Sequence, residues 1–163
     1  MSKQDKPFNL TISTIDAHAP NGIFDKRCKN STDNDSVNAI ECTNDLLKDF
    51  VDFLKQQENY KDTIVVIVPD HLMMTSKATP MLIEAGERTL YSIFLNTGKI
   101  EKYNKGILYT DLAKMILDKL DIENNAKFIM YNYKNKSTDE RVEQYSRNKN
   151  KIRIFNQRTI MQD

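Results

Sequence analysis

Apolar and polar residues alternate from Phe8 to Ile15, placing Phe8, Leu10 and Ile12 on one face, and this spacing predicts a β-strand. The strand is expected to end at Asp16-Ala17-His18-Ala19-Pro20-Asn21-Gly22, where proline, asparagine and glycine favour a loop. After a polar, irregular stretch from Lys26 to Asp35, the period changes to three and four. Ala39, Ile40, Leu46, Leu47, Phe50, Val51 and Leu54 form one apolar stripe, which predicts a helix from about Ser36 to Gln57, with Asp35 or Ser36 as its N-cap. Thr63 to Val68 is apolar on both faces, the pattern of a central, parallel strand covered on each side. Tyr91 to Asn96 predicts a further strand closed by Thr97-Gly98, and Asp111 to Leu120 an amphipathic helix with Leu112, Met115, Ile116, Leu117 and Leu120 inward. Phe128 to Tyr133 is expected to add a short strand.

The order strand, helix, strand, strand, helix predicts an α/β chain, one part of a larger sandwich. At 163 residues there is room for one domain with a core. We place that domain at residues 1–125. Residues 126–163 form a charged C-terminal extension in which Arg141, Arg147, Lys149, Lys151, Arg153 and Arg158 are scattered among acids. Such mixing predicts a solvated, partly disordered terminus rather than a nucleic-acid tail.

Composition narrows the partners. A formal net charge of +1 gives no overall attraction to nucleic acid or membrane, so any charged partner must be recognised locally. No run approaches the roughly 18 to 20 apolar residues of a membrane span. The first seven residues lack the apolar core of a signal peptide, so this stretch by itself carries no expected signal or anchor. The two cysteines, Cys28 and Cys42, leave two readings open. They are either a disulfide, which implies an oxidising compartment, or two free thiols. Zinc through them is disfavoured because neither sits in a Cys-x-x-Cys pair. There is no P-loop and no Gly-x-Gly-x-x-Gly, and four glycines leave little room for phosphate-cradling loops.

Chemistry concentrates at the predicted strand ends. Val68 runs into Pro69-Asp70-His71, and ligands of open α/β sheets collect outside the carboxyl edge. Asp70 offers a hard oxygen and His71 an imidazole nitrogen, half of a divalent-metal ligand set. In an extended segment the two side chains would point to opposite faces, so one ion can join them only if the backbone turns sharply there. The bland alternatives are an aspartate capping the next turn and a histidine satisfied by a carbonyl. His18, the only other histidine, is on that reading a loop residue without a task.

Several stretches together resemble the sulfatase-like hydrolases and transferases of the alkaline phosphatase superfamily, in particular their phosphoglycerol-transferring branch. They are Thr14 to Gly22, Cys28 with Ala39-Ile40-Glu41-Cys42, Tyr60 to Val66, and Asp70-His71-Leu72-Met73-Met74, within residues 7 to 120. The resemblance implies a partial three-layer α/β/α sandwich with a mixed, mostly parallel sheet. It implies that Asp70 and His71 ligate a divalent ion, manganese before zinc or magnesium, that His18 contacts the substrate phosphate or leaving group, and that Cys28 and Cys42 form a disulfide. The implied activity moves phosphoglycerol from a phospholipid donor to a periplasmic glucan or related glycan, at the periplasmic face of the inner membrane. The family's threonine nucleophile and a further acidic ligand have no counterpart here. The chain is therefore expected to be inactive alone and to need a missing N-terminal half as partner. Two other readings are a glycan- or phosphate-binding module without catalysis, and an interaction protein pairing through an exposed sheet edge.

Overall fold

The computed structural model describes residues 6–86, 90–100, 108–126, 128 and 136–160, with side chains to residue 150. The chain divides into two compact units, residues 1–96 and 97–163, a division that falls well before the composition change near 125.

The first unit is organised on α1, Asp35–Lys55. The apolar stripe explains why it is a helix, and Ala39, Cys42 and Val51 are its buried apolar positions. Phe50, expected inside, is 37% exposed, because the described chain places too little on that side of the stripe to cover a ring. The N-cap is Asn34 rather than Asp35 or Ser36: its side-chain oxygen accepts from the backbone N–H groups of Ser36 and Val37. Asp35 in the first turn and Lys55 in the last suit the helix dipole. On the outer face Asp52 accepts from Lys48 at 3.0 Å and from Lys55 at 3.1 Å, exposed pairs of small energetic weight.

After α1 a 3-10 turn, Glu58–Asp62, leads into β1, Val65–Ile67. β1 pairs with β2, Ile93–Leu95, in the register Val65–Leu95, Val66–Phe94 and Ile67–Ile93. The pairing is antiparallel, whereas the apolar run predicted a parallel, fully covered strand. Both strands are short and at best half-buried, so apolar composition here reports surface still to be covered. Asn96, at φ +62, closes the pair: its side-chain amide donates to the carbonyls of Tyr60 at 2.5 Å and Thr63 at 2.9 Å. Between the strands lies a six-residue helix, α2, Thr79–Glu84. Phe8 to Ile15, predicted as a strand, carries no secondary structure. No neighbouring strand offers it backbone partners among the described residues.

In the second unit a 3-10 turn, Tyr109–Asp111, opens α3, Leu112–Lys119. Asp111 is 7% exposed and pairs with Arg141, itself 3% exposed, so a buried ion pair ties the start of α3 to the next helix. α3 ends with the Ile122 N–H on the Leu117 carbonyl at 3.0 Å and Asp121 at φ +51, a left-handed helix stop made without glycine. In the charged terminus α4 runs over Thr138–Ile160. Its start carries a reciprocal cap: Glu140 accepts from the Ser137 N–H at 2.8 Å, and the Ser137 hydroxyl accepts from the Glu140 N–H at 3.3 Å. The strand expected from Phe128 to Tyr133 lies, apart from residue 128, outside the described residues.

Gly22 shows how tightly the first unit closes on α1. Its φ is +76, and a Cβ there would collide with the Ala39 Cβ and lie 2.8 Å from the Asp16 carbonyl oxygen. Gly22→Ala is therefore expected to destabilise the chain by about 2 kcal/mol or more, left-handed strain and overpacking acting together. Urea denaturation checks this, and an unchanged midpoint would refute the close approach.

Candidate functional site

Two segments carry the chemistry, and both are fastened to the first turns of α1. The loop after Ile15 turns back on itself: the His18 N–H donates to the Ile15 carbonyl, Gly22 to His18, and Ile23 to Asp16. The peptide between Ala19 and Pro20 is cis. The Ser36 hydroxyl, 1% exposed, donates to the Pro20 carbonyl at 2.7 Å and anchors this loop to the helix. Further along, the Asn38 side-chain oxygen accepts from the N–H and hydroxyl groups of both Ser31 and Thr32, and its amide donates to the Thr32 carbonyl at 2.8 Å. The Ser31 hydroxyl also meets Glu41.

Cys28 and Cys42 are joined, with Cα atoms 5.5 Å apart. Closing a loop of this length restricts the unfolded chain and stabilises by roughly 3 kcal/mol in the chain-entropy account. The bond fixes the far end of the His18 loop to α1, one turn beyond Asn38.

Just before Cys28, Asp25 accepts from the Arg27 backbone N–H at 2.8 Å, from its Nε at 2.9 Å and from its Nη2 at 2.8 Å. The Arg27 guanidinium and N–H hold the Asp25 carboxyl well below the usual carboxylate range.

The second segment follows β1. The backbone bends through Asp70 to Leu72. That bend brings the two side chains to the same side, which an extended strand end would not do. Asp70 Oδ1 accepts from the His71 N–H at 2.9 Å, and Asp70 Oδ2 lies 3.4 Å from His71 Nε2. His71 Nδ1 sits 2.7 Å from the Leu72 carbonyl oxygen. A carbonyl only accepts, so Nδ1 carries the proton in the neutral ring and Nε2 keeps its lone pair. His18 has the same arrangement, with Nδ1 2.7 Å from the Ala19 carbonyl. Each histidine thus tethers one nitrogen to its own backbone and presents the other.

This segment too is tied to the helix. The Asn34 amide donates to the Lys77 carbonyl at 3.0 Å, and Lys77 Nζ meets Asp35 at 2.7 Å. Ala78, 2% exposed, is the buried residue beside that tie.

The donor set fits a divalent ion. A carboxylate oxygen and an imidazole nitrogen are donor types such ions accept, and Asp70 Oδ2 and His71 Nε2 stand 3.4 Å apart. Both side chains are open, Asp70 at 87% and His71 at 51% exposure. Among the described residues no third His, Cys, Asp or Glu joins them, and His18 makes no hydrogen bond or ion pair with either. Two such donors would leave the rest of a coordination shell to be supplied. Near the His18 loop, Asn21, Gly22, Phe24, Asn30, Asp35 and Asn38 line a shallow depression of about 250 Å³. Asn34 and Asn38 were absent from the sequence-based candidates, and Ser36 entered only as a helix N-cap. Asn34 ahead of Asp35-Ser36 is an N-cap signal, but nothing local marks Ser36 or Asn38 as anchors.

The chemistry-bearing residues are thus an Asp-His pair after β1 and, separately, a histidine loop held to α1 by a disulfide. The sulfatase family model matches residues 1–97, and the chain belongs to that family, whose fold is of the α/β alkaline phosphatase type. Its relatives include the phosphoglycerol transferase I of Salmonella arizonae, 28% identical over 99 residues, a match covering 57% of this chain and 13% of that protein. The phosphoglycerol transferase I proteins of Salmonella paratyphi B and Salmonella newport are 27% identical over the same coverage. The chain thus corresponds to a small part of these relatives' length. No solved structure matches it.

The Asp25–Arg27 turn generates a pH prediction. A carboxyl lowered in the folded state contributes stability above its unfolded value of about 3.9, and this is lost as pH falls through the lower folded value. Arg27→Ala should lower the urea midpoint at pH 7, and its gap to the wild type should begin to narrow as pH falls below about 4. A gap unchanged down to pH 2 would remove the turn from the acid response.

Proposed function

We propose that this chain forms part of a metal-dependent phosphoglycerol transferase, one that moves phosphoglycerol from a phospholipid donor to a hydroxyl of a periplasmic glucan or related glycan. The observation that carries the reading is the Asp70–His71 bend, with one oxygen and one free imidazole nitrogen 3.4 Å apart. Asp70 and His71 would hold the ion, manganese in preference to zinc or magnesium. Such an ion lowers the pKa of an attacking hydroxyl and offsets charge gathering on phosphoryl oxygens.

The chain's own residues do the rest. Leu72 orients the His71 ring through its carbonyl, so that Nε2 stays available. Ala19 does the same for His18, whose outer nitrogen, once protonated, donates to a non-bridging or leaving phosphate oxygen. The disulfide and the Ser36 bond hold that histidine's loop against α1. The remaining ligands and the threonine nucleophile come from further polypeptide, which completes the parent's three-layer sandwich with its mostly parallel sheet. We place the parent enzyme at the periplasmic face of the inner membrane. No described helix here is long and apolar enough to cross a membrane.

A second reading, a binding module without catalysis, draws on the depression lined by Asn21, Phe24, Asn30, Asp35 and Asn38. Amide and carboxylate groups beside one aromatic ring suit a sugar or polyol. Glycan affinity without metal would favour it.

Calorimetric titration of the metal-stripped chain with manganese and then zinc tests the first reading. We expect weak binding, reduced at least tenfold by Asp70→Ala and by His71→Ala. Binding that survives both substitutions would sink the ligand assignment. In a separate assay the pure chain should show no turnover of a nitrophenyl phosphodiester. Steady hydrolysis abolished by His71→Ala would show instead that the chain carries a whole active site.

A further inference from the structure

Charge that nearly cancels over the whole chain does not cancel along α4. From residue 144 to 160 the sequence carries Arg147, Lys149, Lys151, Arg153 and Arg158 and no Asp or Glu. The acids of the C-terminal extension, Asp139, Glu140, Glu143 and Asp163, lie before and after this stretch. The stretch is helical to Ile160. At the rise of an α-helix, Arg147 to Arg158 sets these cations along about 17 Å of axis. Ile152, Ile154, Phe155 and Ile160 share it. The charges are too many for a membrane span. Basic residues mixed with large apolar ones on one helix are instead the composition of a segment that lies in a bilayer interface.

The first turns of α4 carry a second observation, an inverted polarity. Arg141 is buried, Gln144 and Asn148 are half-buried, and the three recur at the spacing of one helix side. Val142 and Tyr145, the large apolar residues of the same turns, are 47% and 43% exposed. The inward polar groups have partners: Arg141 meets Asp111, and the Asn148 side-chain amide donates to the Gln144 carbonyl at 2.9 Å. With the Ser137–Glu140 cap, the buried pair fixes the start of the helix in this orientation. Its apolar side chains are therefore turned outward by a fixed helix. Glu143, the last acid before the basic stretch, pairs with Arg147 only at the exposed surface, where such a pair weighs little and leaves Arg147 available.

We infer that α4 is an interfacial helix that lies along an anionic phospholipid bilayer, its cations among the lipid phosphates and its apolar residues at the acyl boundary. A net charge of +1 gives the chain as a whole little attraction to a negative surface, so recognition falls to this local run. Nucleic acid is the other polyanion that a basic helix fits, and two observations favour lipid over it. The Cys28–Cys42 disulfide belongs to oxidising compartments, away from cytosolic nucleic acid. Large apolar residues also interleave the cations, and a bilayer interface buries them as a phosphate backbone does not. The inference goes beyond the transferase reading and does not rest on it. α4 lies outside the matched residues 1–97 and needs neither the Asp70–His71 pair nor a phosphoryl acceptor.

Flotation of the full chain with lipid vesicles tests this. Vesicles of mixed phosphatidylglycerol and phosphatidylcholine are compared with vesicles of phosphatidylcholine alone. We expect binding to the anionic vesicles, falling as salt rises, and at least about tenfold weaker binding to the neutral ones. Each Lys or Arg near an anionic surface is worth roughly fivefold in partition, so Arg147→Gln, Lys149→Gln, Lys151→Gln, Arg153→Gln and Arg158→Gln combined should lower binding at least about a hundredfold. Ile152→Ser with Phe155→Ser, at unchanged charge, should lower it at least about tenfold. Helical circular dichroism and the Cys28–Cys42 disulfide report that the variants stay folded, and the salt series on the unaltered chain needs no variant. Equal binding to neutral vesicles, binding to neither, binding indifferent to salt, or tighter binding to a short DNA duplex would overturn the inference. Metal titration reads the ligand pair separately: vesicle binding without metal binding would keep the interfacial helix and remove the metal assignment.

Discussion

The first turns of α1 are the constraint on which the rest of the first unit depends. Asn34 caps the helix and donates to Lys77, Asp35 pairs with Lys77, Ser36 binds the Pro20 carbonyl, and Asn38 gathers Ser31 and Thr32. Three of the five residues from Asn34 to Asn38 thus hold segments far away in sequence, and Asn38 gathers the turn just ahead of the helix. Ser36 and Asn38 are buried, so their partners matter more than those of a surface pair. Removing a buried donor leaves its acceptor unsatisfied, a cost of about 1 to 3 kcal/mol. The helix is both a core element and the bracket on which the His18 loop and the segment after Asp70-His71 are mounted.

This arrangement joins unequal parts. The His18 loop is fixed by a disulfide, a buried hydroxyl and a glycine packed on Ala39. The Asp70–His71 bend is fixed mainly by its own local hydrogen bonds and by the Lys77 tie further along. Asp70 Oδ2 and His71 Nε2 are therefore oriented relative to each other while both side chains remain open to solvent.

Legibility in the sequence followed the range of the interactions. α1 and α3 could be read because apolar spacing of three and four is a local property that packing reinforces. The Asp70-His71 junction stood out because a long β-branched run stops at a proline followed by two ligand types. The helical character of residues 138–160 was missed, although Ser137-Thr138-Asp139-Glu140 carries the Ser-x-x-Glu pattern that the structure uses as a reciprocal cap. Attention to mean polarity obscured that local signal. The direction of the β1–β2 pairing and the unpaired state of Phe8–Ile15 had no local signature, since alternation specifies a buried face without naming the neighbour that buries it.

By itself, then, the sequence determined the helical character of α1 and α3, where apolar surface must be covered, and which residue types stand at the candidate site. Those follow from periodicity and side-chain chemistry, which act over a few residues. The tertiary structure alone decided that Asn34, Ser36 and Asn38 serve as anchors and that Gly22 must lack a side chain against Ala39. It also decided that the bend at Asp70 turns two opposite-facing side chains into a pair 3.4 Å apart. These depend on contacts between residues distant in the chain or on a backbone turn at a strand end, and neither is encoded in spacing along the sequence.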